Sequence, residues 1–208
     1  MKLERQVWRD DSQARVFAEL HIRAFPGFFL SQLGVGFLTL LYSHYLRSEQ
    51  CYCVAAYDES RPDLPLGLVV AIHQPSLFYK ALFAQHRFAF AWRAVPSLLK
   101  QPLFVARKLF AAVFYRGDQV ESLESERAVL LSTISVAPEA QGRGLGKKLL
   151  QCVDEWTHDV DGAFVYLTTD RDANEQVNAF YQSNGYVLES TLKKSGGRYM
   201  NRYVKHVR

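Results

Sequence analysis

A glycine-rich turn between a strand pattern and a helix pattern constrains the fold of this chain more than any other feature. Residues 128–136 read AVLLSTISV, an apolar run that predicts a strand, and residues 144–160 place apolar side chains at helical spacing. The run that joins them contains Gln141-Gly-Arg-Gly-Leu-Gly-Lys147. Since glycine costs about 1 kcal/mol relative to alanine inside a helix, glycines at a helix start need a reason other than helix stability.

The helix start has the properties of an anion-binding site. The first backbone N–H groups of a helix have no partner within the helix and carry partial positive charge. Glycine lets the backbone approach an anion closely, and Arg143, Lys147 and Lys148 add full positive charges. Two common phosphate loops are excluded, because Gln141 and Lys147 stand where the P-loop and the dinucleotide fingerprint each require a glycine. The pattern predicts a phosphate or pyrophosphate ligand.

The composition is that of an ordinary globular protein with one unusually basic segment. With 208 residues, of which 49% are hydrophobic and 22% charged, the chain can form one domain with a full core. Residues 75–116 contain seven Lys or Arg and no Asp or Glu, whereas the rest has 18 basic against 21 acidic residues. This distribution argues against a general nucleic-acid binder, and we expect no nucleic-acid partner.

Targeting and redox signals are weak. Residues 1–6 do not resemble a signal peptide, and no apolar run approaches the ~20 residues of a membrane helix, so we expect a cytoplasmic protein. Cys51, Cys53 and Cys152 lack the spacing of zinc ligands. We expect Cys51 and Cys53 to be buried thiols on one face of a strand rather than a metal or redox pair, and we expect no metal site.

The order of predicted elements indicates a mixed α/β fold. Residues 128–168 form a βαβ unit, with its second strand at 164–168. The other predicted elements are a strand near 6–8, a helix capped by 10–12 and ending near 24, a helix at 30–47, a hairpin of 51–57 and 67–73, two or three helical stretches over 76–115 interrupted at Pro96 and Pro102, a helix at 174–184 and closing strands at 185–189 and 200–206. We expect residues 1–208 to form a single domain, with 75–125 as a helical insertion between the third and fourth strands.

Two motifs resemble those of the GNAT acetyltransferase superfamily. Its acyl-CoA loop, Q/R-x-x-G-x-G/A after a strand, is matched at every specified position by Gln141–Gly146, and Ile134–Pro138 resembles the strand that leads into it. Its second signature, Asn followed seven residues later by Tyr and then by Gly-aromatic, resembles the run from Asn174 through Tyr181 to Gly185-Tyr186. The resemblance is clear over 128–208 and weak over 1–74, and it implies the GNAT fold.

The resemblance implies direct transfer of an acetyl group from acetyl-CoA, the cosubstrate, to an amine. The residues that would hold the pyrophosphate are Gln141, Gly142, Arg143, Gly144, Leu145, Gly146 and Lys147. Strand four would diverge from strand five, so that the edge formed by Ile134, Ser135 and Val136 binds pantetheine as a missing strand would. The Ile134 amide would polarise the thioester carbonyl. Asn174 would bond the pantetheine arm, and Tyr181 would protonate the departing thiolate.

The general base is missing from the position where some GNAT enzymes have one. Those enzymes carry Glu or His in strand four, whereas residues 130–133 read Leu-Leu-Ser-Thr here. An amine with a pKa near ~10 must lose a proton before it attacks, and we expect water to take it. Weaker candidates for the base are Glu124, Glu126, His73 and His86. Some implied roles also have structural alternatives: Tyr181 as a packing aromatic, Asn174 as a helix N-cap, and Arg143 and Lys147 as solvated cations.

The insertion bears on the acceptor and leaves several interpretations open. It carries ten aromatic residues between positions 78 and 115 beside its cations. It is a lid over an anionic acceptor, a helical segment on an anionic membrane surface, or a packed cap or dimer face with its cations in water.

The function that we predict is N-acetylation of a small-molecule amine, for example a nucleotide-linked amino sugar, by a monomer or homodimer. The alternatives are a protein or peptide amine as acceptor, or a non-catalytic acyl-CoA-binding module that docks to a membrane or partner through residues 75–116.

Overall fold

The computed structural model describes residues 1–100, 127–194 and 197–207, with only the backbone for 98–100. Its helices are α1 (Asp11–Ala24), α2 (Phe29–Gln32), α3 (Val35–Arg47), α4 (Pro75–Lys100), α5 (Leu145–Asp159) and α6 (Glu175–Ser183). Its strands are β1 (Lys2–Gln6), β2 (Cys51–Asp58), β3 (Arg61–His73), β4 (Ala128–Val136), β5 (Phe164–Asp170), β6 (Val187–Lys193) and β7 (Tyr199–His206).

The described strands form one mixed sheet of seven, in the order β1-β2-β3-β4-β5-β7-β6. β4 and β5 run parallel, and the other neighbouring strands are antiparallel. The predicted βαβ unit and the mixed α/β class are confirmed, and α4 lies between β3 and β4 as expected.

Helices cover both faces of this sheet. A Cβ atom on Gly67 of β3 would lie 2.9 Å from Leu145 and 3.1 Å from Leu149, so this glycine lets α5 approach the sheet closely. Side chains alternate along a strand, and the neighbouring positions of β3 therefore face α1 and α3 on the other side. The core that results is continuous on both faces and includes Phe17, Leu38 and Leu68, each at most 1% exposed.

The prediction of one helix over 30–47 is wrong, because the chain breaks it into α2 and α3. Gly34 begins α3 with a φ of 85°, a left-handed conformation that glycine adopts easily. Leu33 and Phe37 on either side of the break are both buried. Their spacing imitates a continuous helix, so the apolar period alone could not reveal the turn.

Other boundaries also differ from those predicted. Pro96 does not interrupt α4, which packs against α3 through buried residues such as Phe90 and continues to Lys100; Pro102 lies outside the described residues. β1 is Lys2–Gln6 rather than 6–8, since its register with β2 begins at Lys2. β6 begins at Val187 because Gly185, at a φ of 87°, ends the preceding helix.

The cysteines of β2 have the environment that was predicted. Cys51 and Cys53 are both buried, and burial raises the pKa of the Cys51 thiol to about 12. Across the three described ranges, no cluster of three or more His, Cys, Asp or Glu side chains is arranged to hold a metal ion. Within those same ranges, no helix combines the length and hydrophobicity required to traverse a membrane.

Candidate active site

β4 and β5 separate from each other halfway along β4. They pair only from Ala128–Phe164 to Leu130–Tyr166, whereas β4 continues to pair with β3 as far as Val136. Among the described residues, no strand therefore pairs with the β5-facing edge of β4 beyond Leu130. We call this opening, between 131–136 and 167–170, the β4–β5 cleft. The divergence implied by the family resemblance is present.

The backbone of β4 presents a donor to this cleft. The Ala137 N–H donates to the carbonyl of Leu66 beside β3 at 2.8 Å. Backbone N–H groups alternate in direction along a strand, so those of Ile134 and Val136 point the other way, toward the cleft. Ser135 is fully buried, and its hydroxyl donates to the Leu68 carbonyl at 3.4 Å, so its side chain faces the protein interior.

The glycine loop, Gln141–Lys147, lies at the N-terminus of α5, and its glycines serve different purposes. Gly142 and Gly144 have φ values of 74° and 72°, in the left-handed region where other residues are strained. Gly146 has ordinary helical backbone, but a Cβ there would lie 3.0 Å from the Phe180 ring on α6. Two glycines therefore shape the turn, and the third lets α5 and α6 approach each other.

The loop is anchored on its inner side and charged on its outer side. Leu145 is 1% exposed and packs toward Gly67, while the Gln141 side-chain amide donates to the Val136 carbonyl at 3.3 Å. Arg143, Lys147 and Lys148 are exposed, and none of them takes part in the ion pairs between described residues. A rigid loop with cations that face solvent is suited to binding a phosphate group.

Tyr181 is held in an aromatic cluster on α6. It is 7% exposed, and its ring lies 5.6 Å from that of Tyr186 and 6.0 Å from that of Tyr203. Burial raises the pKa of the Tyr181 phenol above its ordinary value, so the hydroxyl stays protonated at neutral pH. The group can therefore donate a proton but cannot act as a base.

Asn174 occupies the N-cap position of α6, but its side chain does not cap the helix. Its amide instead donates to the Thr169 hydroxyl and to the Asp170 carbonyl, both at 2.9 Å. This orientation turns the side chain toward the carboxyl end of β5, which borders the β4–β5 cleft.

Asn178, one turn further along α6, joins that helix to the sheet. Its amide nitrogen donates to the Asp170 carbonyl at 3.0 Å and to the Asn174 carbonyl at 2.8 Å. Its carbonyl oxygen accepts from the Asn201 amide at 3.0 Å and from the Tyr203 hydroxyl at 2.9 Å. Sequence reasoning missed this residue, because an asparagine inside a helix gives no pattern that distinguishes a connecting residue from an exposed one.

A hydroxyl cluster lies on the other side of β4, at a β-bulge. Leu131 pairs with Ala71 and Thr133 pairs with Val70, so Ser132 is the extra residue. The Ser132 hydroxyl lies 3.0 Å from that of Tyr45 on α3 and 3.1 Å from that of Tyr79 on α4, and the two phenols are 3.1 Å apart. Burial raises the pKa of both phenols, so neither is a base at neutral pH.

A second polar group on that side connects α1 to β4. His21 Nδ1 lies 2.9 Å from the Tyr42 hydroxyl, which also has the Thr133 side chain within hydrogen-bonding reach. Burial lowers the pKa of His21 to about 4, so the imidazole is neutral at pH 7. No local sequence signal marks either polar group, since each depends on helices that are distant along the chain.

The histidines considered as general bases lie away from Ile134. His73 pairs with Val129, five residues before Ile134, which corresponds to roughly 17 Å along a strand. His86 lies on α4 and stacks on His44, with 4.2 Å between the ring centroids. Glu124 and Glu126 lie outside the described residues.

Comparison with protein families and solved structures agrees with this geometry. Residues 100–188 match the family model for the acetyltransferase (GNAT) domain. Among solved structures, a Desulfovibrio desulfuricans protein assigned to the GNAT acetyltransferase family is 18% identical, with a TM-score of 0.62, over 100% of this chain and 99% of that one. A comparison with curated protein sequences finds no match.

Two further structures have the same fold. An aminoglycoside 6'-N-acetyltransferase complexed with coenzyme A is 13% identical, with a TM-score of 0.62, over 100% of this chain and 98% of that one. A chimera of the spermidine N-acetyltransferase from Vibrio cholerae is 15% identical, with a TM-score of 0.60, over 99% of this chain and 96% of that one. The sequence match covers residues 100–188, and the fold shared with these acetyltransferases extends over the whole chain.

Proposed function

We propose that this enzyme transfers the acetyl group of acetyl-CoA to the primary amine of a small molecule, with the reacting atoms in the β4–β5 cleft. The observation that carries the proposal is the convergence on this cleft of an outward-facing Ile134 N–H, a glycine loop at a helix N-terminus and the carboxyl end of β5 beside α6. Each supplies a different part of the chemistry.

Donor binding is the task of the glycine loop and the β4 edge. The N–H groups at the start of α5 and the side chains of Arg143 and Lys147 would neutralise the pyrophosphate. The outward N–H groups of Ile134 and Val136 would pair with the pantetheine amides, as a neighbouring strand would. Asn174, already directed toward the end of β5, would bond the same arm through its amide oxygen.

The transfer step needs an electrophile and a proton donor. The amine nitrogen attacks the thioester carbon, and the Ile134 N–H stabilises the negative charge that develops on the carbonyl oxygen. The C–S bond then breaks and the sulfur leaves as a thiolate. Tyr181, kept protonated by burial, gives its proton to the sulfur, and the proton that the nitrogen loses as the amide forms restores the Tyr181 phenol.

Water is proposed to take the proton from the attacking amine. β4 carries neither carboxylate nor imidazole, and the phenols of Tyr45 and Tyr79 remain protonated because they are buried. Ser132 is a much weaker base than the amine itself. The amine therefore loses its proton to solvent before it attacks, and no basic side chain is needed.

For the acceptor, the proposal names only a chemical class, the small-molecule amines. Tyr45 and Tyr79 cover Ser132 on the side of β4 that faces α3 and α4, which favours a compact acceptor over an extended peptide. Nothing in the comparisons supports the nucleotide-linked amino sugar predicted from the insertion. The cytoplasmic location and the single-domain division, with 75–125 as an insertion, also remain predictions.

Tyr181→Phe tests the proposal, with Tyr186→Phe as a matched control. Both phenols are buried in one aromatic cluster, but only Tyr181 is proposed to donate a proton. Acetyl-CoA turnover would be followed by release of the free thiol against a panel of small amines. We expect Tyr181→Phe to lower kcat by about 10²–10⁴-fold, while the dissociation constant of acetyl-CoA and the activity of Tyr186→Phe change little.

Two results would count against this assignment. Equal losses in both variants would mean that the cluster acts only through packing. At a hundred times its dissociation constant, acetyl-CoA should stabilise the protein by about 2.7 kcal/mol. If saturating acetyl-CoA does not raise the melting temperature, the proposed donor site is absent.

A further inference from the structure

The outer face of α4 is apolar and exposed over most of its length. We call this face the outer stripe, and its members all belong to the exposed class. They are Leu77, Ala81, Ala84, Phe88, Ala91, Trp92 and Val95. At about 100° per residue they share an arc of roughly 100° and extend over about 27 Å, and the arc contains no charged residue.

The opposite face of the same helix already fills the packing role. Phe78, Leu82, Phe90 and Ala94 are buried, and the Phe90 ring lies 5.0 Å from that of Phe37 on α3. The outer stripe is therefore additional to the face that joins α4 to the core. Phe88 is 76% exposed and Trp92 is 77% exposed, which is high for side chains of this size.

The charges beside the stripe are all positive. Lys80 and Arg87 lie along one border, about 80–100° from Phe88, and both are exposed. Arg93 lies on the far side, where its guanidinium donates to the Gly36 carbonyl of α3 at 3.1 Å. Because residues 75–116 contain no Asp or Glu, no acid of this segment offsets these cations.

These charges discriminate between possible occupants of the stripe. A second copy of the chain, placed stripe to stripe and antiparallel, would bring Lys80 and Arg87 against the same cations of its partner. An anionic bilayer surface offers both an apolar layer for the aromatic side chains and phosphates for the cations. Since no helix among the described residues is suited to span a bilayer, such contact would lie at the surface.

We propose that α4 binds the surface of an anionic lipid bilayer through the outer stripe, with Phe88 and Trp92 in the headgroup–acyl boundary and Lys80 and Arg87 against lipid phosphates. The proposal does not depend on acetyl transfer. Tyr79, on the packed side of the same helix, contacts Ser132 of β4, so binding holds that side of β4 near the bilayer.

Vesicle flotation of the purified full-length protein tests the proposal. The probes are vesicles of phosphatidylcholine alone and of phosphatidylcholine with phosphatidylglycerol, at low salt. We expect the protein to float with the anionic vesicles and to remain in the dense fraction with the neutral ones. Added salt weakens binding because it screens the cations.

Variants distinguish binding through the outer stripe from nonspecific adsorption of exposed apolar side chains. Phe88→Ala combined with Trp92→Ala should reduce the fraction bound to anionic vesicles at least about tenfold, since it removes the largest apolar side chains of the stripe. Lys80→Glu with Arg87→Glu should have an effect of about the same size. The matched control is Val187→Ala with Leu188→Ala on β6, which also removes exposed apolar side chains and should not alter binding.

The proposal is overturned by any of three results. The first is absence of flotation with anionic vesicles at low salt, and the second is equal loss in the β6 control. The third is a dimer in analytical ultracentrifugation that Phe88→Ala with Trp92→Ala converts to monomers, since the stripe would then be a contact between copies. Unchanged melting temperatures would show that the variants remain folded.

Discussion

Among the helices that contact β4, α4 and α5 differ in their outer faces: that of α5 is polar, whereas that of α4 is apolar. α5 buries Leu145, Leu149 and Val153 against the sheet and exposes charged and polar residues, Lys147 and Lys148 among them. α4 buries one apolar face and exposes another. α5 therefore has one face packed on the sheet and a polar face in solvent. α4 has, beside its packed face, an apolar face exposed to solvent.

The same contrast extends to the regions that the two helices serve. Around α5 the proposed donor site is built from short segments, namely a loop, a strand edge and one turn of α6. Around α4 the proposed acceptor side is built from contacts between α1, α3, α4 and β4. A site whose residues are close together along the chain is easily recognised from sequence. The arrangement of a site whose residues are far apart depends on how each contributing helix packs.

The largest effect that sharpens this contrast is expected from Asn178→Ala on the donor side. The change removes the hydrogen bonds that join α6 to β5 and β7 and leaves partly buried groups, including the Asn201 amide, without a partner. We expect the free energy of unfolding to fall by about 3 kcal/mol, measured by urea denaturation, and kcat to fall because α6 carries Tyr181.

Tyr203→Phe is the control for that variant. It removes only the hydroxyl that donates to Asn178 and should cost about 1 kcal/mol. If Asn178→Ala cost no more than Tyr203→Phe, the connecting role assigned to Asn178 would be wrong.

The second prediction concerns the shape of the glycine loop. Gly144→Val places a β-branched residue at a φ of 72°, which costs about 2 kcal/mol and distorts the turn at the start of α5. We expect the KM for acetyl-CoA to rise about 10–30-fold, with the KM for the amine unchanged. Gly144→Asn tolerates this backbone conformation and should change the KM for acetyl-CoA less than about threefold. Equal effects of the two substitutions would indicate that the turn does not shape the donor site.

The local geometry of the proposed donor site was predictable from sequence because its residues are close together along the chain. The glycine loop, the strand before it and the Asn174–Tyr181 spacing fix a strand–turn–helix geometry locally, and the β4–β5 divergence followed from the family resemblance. Sequence did not distinguish Gly146, needed for contact with Phe180, from Gly142 and Gly144, needed for backbone conformation. That difference depends on where α6 lies.

The acceptor side could not be predicted in the same way. The contact between Ser132, Tyr45 and Tyr79 joins positions separated by up to 87 residues, and it arises at a bulge that no residue type marks. The break at Gly34 was hidden because Leu33 and Phe37 keep helical spacing across it. Elements were therefore correctly ordered on this side, but the side chains that they bring together were not foreseen.

The third prediction uses pH to examine the N-terminal helices. His21 has a pKa of about 4 in the folded protein, below the ~6.5 of an unfolded histidine, so the unfolded state binds a proton first as the pH falls. The stability due to neutral His21 is complete above pH ~6.5 and is lost as the pH falls toward 4. We expect a loss of at most about 3 kcal/mol between these limits, measured by denaturation at several pH values. His21→Gln should make this dependence shallower, and an unchanged profile would show that other groups cause it.

The smallest effect is expected from Tyr79→Phe, which tests whether the hydroxyl cluster is part of the catalytic machinery. The substitution removes one hydroxyl from a group of three and costs at most about 1 kcal/mol, because Ser132 and Tyr45 still bond each other. If water deprotonates the amine, kcat should change less than about fivefold, and log(kcat/KM) should rise with pH toward the pKa of the amine with no inflection between about 6 and 7.5 in either protein. An inflection present in the wild type and lost in Tyr79→Phe would instead assign the proton transfer to this cluster. Catalysis would then depend on the helix that carries the outer stripe, and the contrast between the two sides of β4 would no longer hold.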